Sequence, residues 1–307
     1  MKPRILLTGG SSLLALNWAC AVRGQWDVVL GIHKHRVQLH GATSVEIDLE
    51  DTTRFGLQLS TLSPELVVHT AGLTNVDECE RQPVLAYHAN AVIARTVAEA
   101  TALRNIPLIH ISTDHLFPGI REFHSEGEPV QPLNEYGRTK ALAEQWVEAA
   151  HPASLIVRTN FFCWGHRRRQ SFSDWLIRSL RDGKPLTLFE DVFFTPILTD
   201  RLVLAAHKLV EKRCSGVFNV GGGERMSKFE FGNVLAGSLG LPSALIQRGR
   251  VVDAELTAPR PHDMSLDSGK AIRALGHHVG MVKDYLEELR MQEIEGRRVE
   301  LHASVAD

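Results

Sequence analysis

Along the first half of the chain, short apolar runs alternate with longer segments whose apolar residues recur at three- and four-residue spacing. Arg4–Leu7, Trp26–Gly31, Ser44–Ile47, Leu66–His69, Leu108–Ser112 and Ser154–Arg158 have strand length. Between them, Ser12–Arg23, Asp51–Leu62, Pro83–Arg104 and Glu135–Ala150 carry the helical period. This alternation predicts βαβ units and an α/β fold with a Rossmann-type, doubly wound parallel sheet. Ligands of such open sheets bind outside the carboxyl ends of the strands, so the chemistry is expected just after each strand.

Beyond Arg158 the rhythm breaks. Ser171–Asp182, Val203–Val210, Lys228–Ser238 and Met281–Met291 read as helices, and Val217–Val220 reads as a strand ahead of Gly221-Gly222-Gly223. The expected division is a Rossmann domain over residues 1–158, to which 191–220 returns, and a smaller mixed α/β substrate domain from 159–190 and 221–292. The polar residues 293–307 read as a frayed tail.

Composition narrows the classes. With 307 residues, 44% hydrophobic and 23% charged, the chain can bury a large core and is not generally disordered. A net charge of −2 argues against a nucleic-acid footprint or a dedicated membrane surface. Four cysteines, at 20, 79, 163 and 214, show neither metal spacing nor disulfide density, which predicts a reducing compartment. The chain opens directly onto a strand and has no apolar run of bilayer length, so a soluble, cytoplasmic protein is expected. The histidines of "HKHRVQLH" lack a cysteine or carboxylate to close a site, and no metal is expected.

The first turn, in "RILLTGGSSLLALNWACAV" (residues 4–22), resembles a glycine fingerprint with substitutions. Gly9 makes the tight turn, Ser12 stands where a second glycine lets backbone approach a pyrophosphate, and Ala15 takes the third place. Ser11, Ser12 and Leu13 open a helix whose free N–H groups and positive dipole end suit a phosphate, and the Ser12 hydroxyl can donate to it. The same residues also read as a plain strand-turn-helix with Ser11 or Ser12 as N-cap. Asp48 and Leu49 follow the third strand, where a carboxylate can accept from an adenine amino group. Ala71 and Gly72 follow the fourth, small enough for a cofactor to lie flat. The second strand ends in the cationic His33, Lys34 and Arg36, with no acidic residue for a ribose 2′-OH. NADPH is therefore preferred, with NADH the alternative, although a solvated loop would look the same.

The most specific pattern is "HISTDHLFPG" (110–119) followed by "NEYGRTKALAEQ" (134–145). Tyr136 and Lys140 share one helix face, where an ammonium can stabilise a phenolate, and Thr113 at a strand end can donate to the same substrate oxygen. That is a proton relay for carbonyl/alcohol interconversion beside a nicotinamide, whereas Tyr-x-x-x-Lys alone would more often be a surface pair.

With these segments the chain resembles the extended short-chain dehydrogenase/reductase superfamily, in its dTDP-4-dehydrorhamnose reductase-like branch. The resemblance spans residues 3–290 and runs through "HTAGLTNVDECERQPVLAYHANA", "STDHLFPG", "EYGRTKALAE", "LIVRTNFF", "DVFFTPILTDRL", "GVFNVGGGERMSKFEFG" and "RPHDMSLD". It implies that Tyr136 protonates a sugar ketone as the nicotinamide delivers hydride, with Lys140 on the nicotinamide ribose and Thr113 orienting the carbonyl. Asn90 matches the helix asparagine that supports the active site and cofactor. Thr74, Asn75, Asp114, His115, Asn160, Pro196 and Arg260 match positions lining the sugar-nucleotide pocket. The pocket departs from the pattern where His115 replaces a tyrosine, Pro118 an aspartate, and "RTNFFCWG" a tryptophan-containing segment. The run His166-Arg167-Arg168-Arg169 suits a diphosphate or a solvated loop.

The expected function is NADPH-dependent reduction of a nucleotide-activated 4-keto-6-deoxysugar, with the nucleotide sugar as the partner and a homodimer as the family-level assembly. Two alternatives remain. One is a sugar-nucleotide epimerase holding NAD. The other is a non-catalytic NADP-binding regulatory protein, since the methionine adenosyltransferase regulatory subunit resembles the same branch.

Overall fold

A computed structural model describes residues 1–33 and 35–305. The first half forms β1 (Arg4–Thr8), α1 (Leu13–Val22), β2 (Asp27–Ile32), β3 (Ala42–Glu46), α2 (Thr52–Leu62), β4 (Leu66–His69), α3 (Val76–Arg81), α4 (Pro83–Tyr87), α5 (Ile93–Ala102), β5 (Leu108–Ile111), α6 (Glu135–Ala150) and β6 (Leu155–Arg158). The second half adds β7 (Phe161–Phe162), α7 (Phe172–Arg181), β8 (Leu186–Phe189), β9 (Phe193–Phe194), β10 (Ile197–Leu198), α8 (Thr199–Glu211), β11 (Gly216–Asn219), β12 (Met226–Ser227), α9 (Lys228–Ser238), β13 (Ile246–Gly249), α10 (Gly269–Leu275), α11 (Val282–Ile294) and α12 (Arg297–Ala303).

The central sheet has seven strands in the order β11-β6-β5-β4-β1-β2-β3, all pairs parallel. This is the Rossmann-type α/β architecture. β4, β5 and β6 are buried on both faces, so apolar residues follow one another rather than alternate, with His69 and Arg158 at the ends of β4 and β6 and His110 inside β5. On one face Leu14 and Trp18 of α1 share a core with Leu202 and Leu209 of α8. On the other, Phe55 and Leu59 of α2 meet Val97 of α5 and Val147 of α6. Winding reverses between β1 and β4, where Thr8 pairs with Gly31 on one side and His69 on the other. The carboxyl ends at this switch point form the floor of a cleft.

Three expectations need correction. Pro83–Arg104 is not one helix: a π-helical turn at His88–Val92 separates α4 from α5 and turns Asn90 inward. The extra residue of a π turn leaves no mark on apolar spacing. Residues 76–81, which carried no helix expectation, form α3, capped by Asn75. The tail is not frayed. Gly296 (φ 86) ends α11 and starts α12, which buries Leu301, and Val305 is buried beyond it and bridges Val37. Arg297 donates to Asp200 at 2.6 Å, and Arg23 to Glu300 at 2.8 Å. Its charges looked solvated in sequence because their partners lie about a hundred or more residues away. Among the described residues, no helix is long and apolar enough to cross a membrane.

Candidate active site

Two cavities meet at the carboxyl ends of β1 and β4, both lined by Ala71 and Gly72. The larger, about 1110 Å³, runs toward β2 and β3; the smaller, about 240 Å³, lies over β5 and the start of α6. Gly9 (φ +67) makes the turn between β1 and α1, and a Cβ there would stand 2.8 Å from Ala71 Cα. No side chain fits, so the backbones of the two loops touch.

Gly9, Ser11, His33, Asp48 and Leu49 line the larger cavity, and Ser12 and Leu13 line the smaller. Ser12 is the N-cap of α1, accepting from Ala15 N at 3.1 Å, and its hydroxyl lies 3.0 Å from Thr70 Oγ1. Thr70 must donate to the Thr8 carbonyl at 2.7 Å, so Ser12 is the donor to Thr70. The hydroxyl is therefore bonded within the protein here, as the N-cap reading of this turn has it. The first helical turn still has N–H groups without intrahelical acceptors, and Leu13 and Leu14 of that turn line the smaller cavity.

At the far end of the groove the charge balance differs from the sequence expectation. Lys34 lies outside the described residues, and Arg36 is exposed and does not line the cavity. Glu46 comes from β3 to lie beside Ile32, so carboxylates do reach this end. Arg54 of α2, which sequence reasoning missed, lines the cavity 3.3 Å from Asp48. The Glu50 N–H and then Arg54 hold the Asp48 carboxyl below its usual range.

Thr113, Asp114, His115, Tyr136, Lys140, Thr74 and Asn160 all line the smaller cavity. Thr113–His115 follow β5, while Tyr136 and Lys140 lie on the inner face of α6, capped by Asn134. Gly137 lets that turn press against the loop after β5: a Cβ there would collide with His115 O. The Tyr136 ring sits edge-on to His115, 5.4 Å between centroids. Burial raises the Tyr136 hydroxyl to about 12, against a lowering hydrogen bond with Thr113. Tyr136 is therefore a protonated phenol at neutral pH.

Lys140 is not among the groups that shift that phenol. Its ammonium donates to Ile111 O at 2.7 Å and lies 3.4 Å from His110 Nε2, and burial lowers it to about 8. Behind it His110 stacks on His69, centroids 5.4 Å apart, because β4 and β5 place them opposite each other. Burial keeps both imidazoles neutral, His69 falling to about 3. No sequence pattern flagged this pair.

Other expected contacts are redistributed. Asn90 reaches the cavity, but its amide is taken by Leu73 N (2.7 Å), Leu73 O (3.0 Å) and Thr139 Oγ1 (3.0 Å), so it supports the loop after β4. The Asn75 side chain caps α3 by accepting from Glu78 N. Pro196 is not among the cavity-lining residues and packs against Gly222. Arg260 is ion-paired with Asp77 at 2.9 Å. Arg169, by contrast, lines the cavity and donates to Thr74 at 2.5 Å. Asp114 accepts from Asn160 and lies 3.2 Å from Thr113 Oγ1. The Nδ1 of His115 is buried without a partner.

The family model described as RmlD substrate binding domain matches residues 3–292. A Haloferax volcanii protein named probable low-salt glycan biosynthesis reductase Agl14 is 29% identical over 288 residues, spanning 92% of this chain and 96% of that protein. The solved dTDP-4-dehydrorhamnose reductase of Bacillus anthracis, in complex with NADP, has a TM-score of 0.83 at 23% identity and covers 95% of this chain and 100% of that one. A hypothetical dTDP-4-dehydrorhamnose reductase from Sulfolobus tokodaii has a TM-score of 0.80 at 28% identity, covering 92% and 98%.

Proposed function

This chain belongs to the RmlD substrate binding domain family, and we propose that it is a sugar-nucleotide oxidoreductase that reduces a nucleotide-activated 4-keto-6-deoxysugar with NADPH. The observation that carries this reading is the buried, protonated Tyr136 lining the small cavity that adjoins the long groove at Ala71 and Gly72. The relatives' names support it.

The groove fits a dinucleotide. Its glycine and alanine floor leaves room for a flat ligand, and the N–H groups at the start of α1 suit its phosphates. His33 and Arg54 favour a 2′-phosphate, whereas Glu46 leaves NADH as an accepted alternative. When bound, the nicotinamide supplies the hydride. The protein does the rest: Tyr136 gives its hydroxyl proton to the sugar oxygen, and Thr113 orients that oxygen. Lys140, held beneath by Ile111 O and His110, is placed for the nicotinamide ribose.

In this reading residues 1–158 with 191–220 hold the cofactor, and 159–190 with 221–292 shape the sugar site. Exposed Val84, Leu85 and Tyr87 on α4 support a homodimer, and four free cysteines support a cytoplasmic setting. The test is a panel of dTDP- and UDP-linked 4-keto-6-deoxysugars, read by NADPH absorbance. Turnover of one or more supports the reading, and none turned over refutes it.

A further inference from the structure

Arg169 reaches the smaller cavity from a tight turn in the second half of the chain. His166 and Arg169 close that turn by exchanging backbone bonds, His166 N to Arg169 O at 2.9 Å and Arg169 N to His166 O at 3.0 Å. Gly165 packs behind it, where a Cβ would stand 2.8 Å from Arg169 O. Two residues on, Ser171 caps α7 and donates to Cys163 O. The backbone that carries the guanidinium is thus fixed, while Arg169 itself is exposed and stands at the rim of the cavity it lines.

Its Nη2 donates to Thr74 Oγ1 at 2.5 Å, which ties the turn to the loop after β4. A guanidinium has five N–H groups, and this bond uses one of them. Among the described residues Arg169 makes no ion pair. The other charges on this cavity wall are engaged: Lys140 donates to Ile111 O, and Asp114 accepts from Asn160 and lies beside Thr113. Two further arginines of the second half are held by carboxylates, Arg260 by Asp77 at 2.9 Å and Arg225 by Asp263 at 2.6 Å. Arg169 is therefore the cation at this cavity with charge and donors to spare.

Its present partner is a neutral hydroxyl. A bond from a guanidinium to an anion is roughly twice as strong as a neutral one, and the planar fork matches a phosphate with two parallel N–H groups. A phosphate at the rim would displace Thr74. The covalent structure of the substrate puts one there. With the keto carbon, C4, against Tyr136 and Thr113, C1 lies across the sugar ring, and the diphosphate on C1 points away from the phenol toward the opening.

We propose that Arg169 grips the diphosphate of the sugar nucleotide, exchanging Thr74 for a two-pronged bond to phosphate as the ligand enters. The proposal rests on the functional reading above but is tested by binding alone. dTDP, UDP, thymidine and uridine are titrated calorimetrically into NADPH-saturated wild type and Arg169→Met. Wild type should bind at least one diphosphate about tenfold or more tighter than its nucleoside, as for a charged donor on an anion. The variant should lose that preference and bind the nucleoside as wild type does, with NADPH Kd and Tm unchanged. A variant that keeps the preference, or that weakens nucleoside and diphosphate alike, would overturn the proposal, as would a wild type that binds neither diphosphate. A loss confined to NADPH would also overturn it and assign Arg169 to the cofactor's phosphates. Failure of the keto-sugar panel with Arg169-dependent diphosphate binding intact would instead remove the reductase and leave the grip.

Discussion

Ser12 donates its only hydroxyl proton to Thr70, 3.0 Å away, because Thr70 has already given its own to the Thr8 carbonyl. The side chain that stands at a glycine position of the fingerprint turn is thus part of a tie between α1 and the end of β4. Ser12→Ala is expected to lose about 1 kcal/mol in denaturant unfolding, through the missing cap and tie. Ser12→Gly should leave NADPH Kd unchanged. A tightening of about tenfold would show instead that the serine obstructs the phosphates.

Glu144 and Arg158 form a buried, two-pronged ion pair at 2.7 and 2.9 Å, linking α6 to the end of β6. Removing one charge leaves the other in the core. Glu144→Ala should cost about 3–5 kcal/mol, measured by urea unfolding at pH 7. A loss under about 1 kcal/mol would mean that water reaches Arg158 freely.

Leu301 is fully buried on α12, against the Rossmann half. Leu301→Ala is expected to cost about 2–5 kcal/mol. An exposed, frayed segment would tolerate the change, so an unaltered Tm contradicts the docked helix.

Lys140 carries a pH signature. Its amine is lowered from 10.5 to about 8 by burial. Between those values the unfolded chain binds more protons than the folded one, so this contribution to stability grows with pH. It is complete above 10.5 and lost as pH falls through 8. Lys140→Met removes it, so the Tm of the variant minus that of wild type should fall as pH rises from 7 to 10. A difference that stays level would place the amine in solvent.

The buried histidines act at the other end of the scale. His69 falls to about 3, and His166 and His207 to about 4, all by burial first. Unfolded, each binds a proton near 6.5, so stability present above that value is lost as pH falls toward 4. His207→Gln should flatten the decline in unfolding free energy between pH 6.5 and 4.5, and an unchanged slope would contradict its burial.

The parallel sheet was legible because β4, β5 and β6 are largely apolar and punctuated by small or polar residues at their carboxyl ends. Thr113, Tyr136 and Lys140 were legible for a related reason: a strand end and one helix face are local features, and the cavity gathers them. What escaped depends on contacts between distant segments. The His69–His110 stack requires knowing that β4 and β5 are neighbours, whereas the π turn that buries Asn90 leaves no mark on apolar spacing. Arg260 and Asn75 were read as pocket residues by position, yet Asp77 and the start of α3 engage their side chains.

The most direct measurement is single-turnover NADPH oxidation by Tyr136→Phe, set against wild type, with a keto-sugar substrate drawn from the panel. In the proposed reading the phenol, buried against the smaller cavity, is the proton source. The variant should bind NADPH with unchanged Kd and lose at least about a hundredfold in rate, in the range of a removed general acid. A variant that oxidises NADPH at the wild-type rate would contradict the account at its centre.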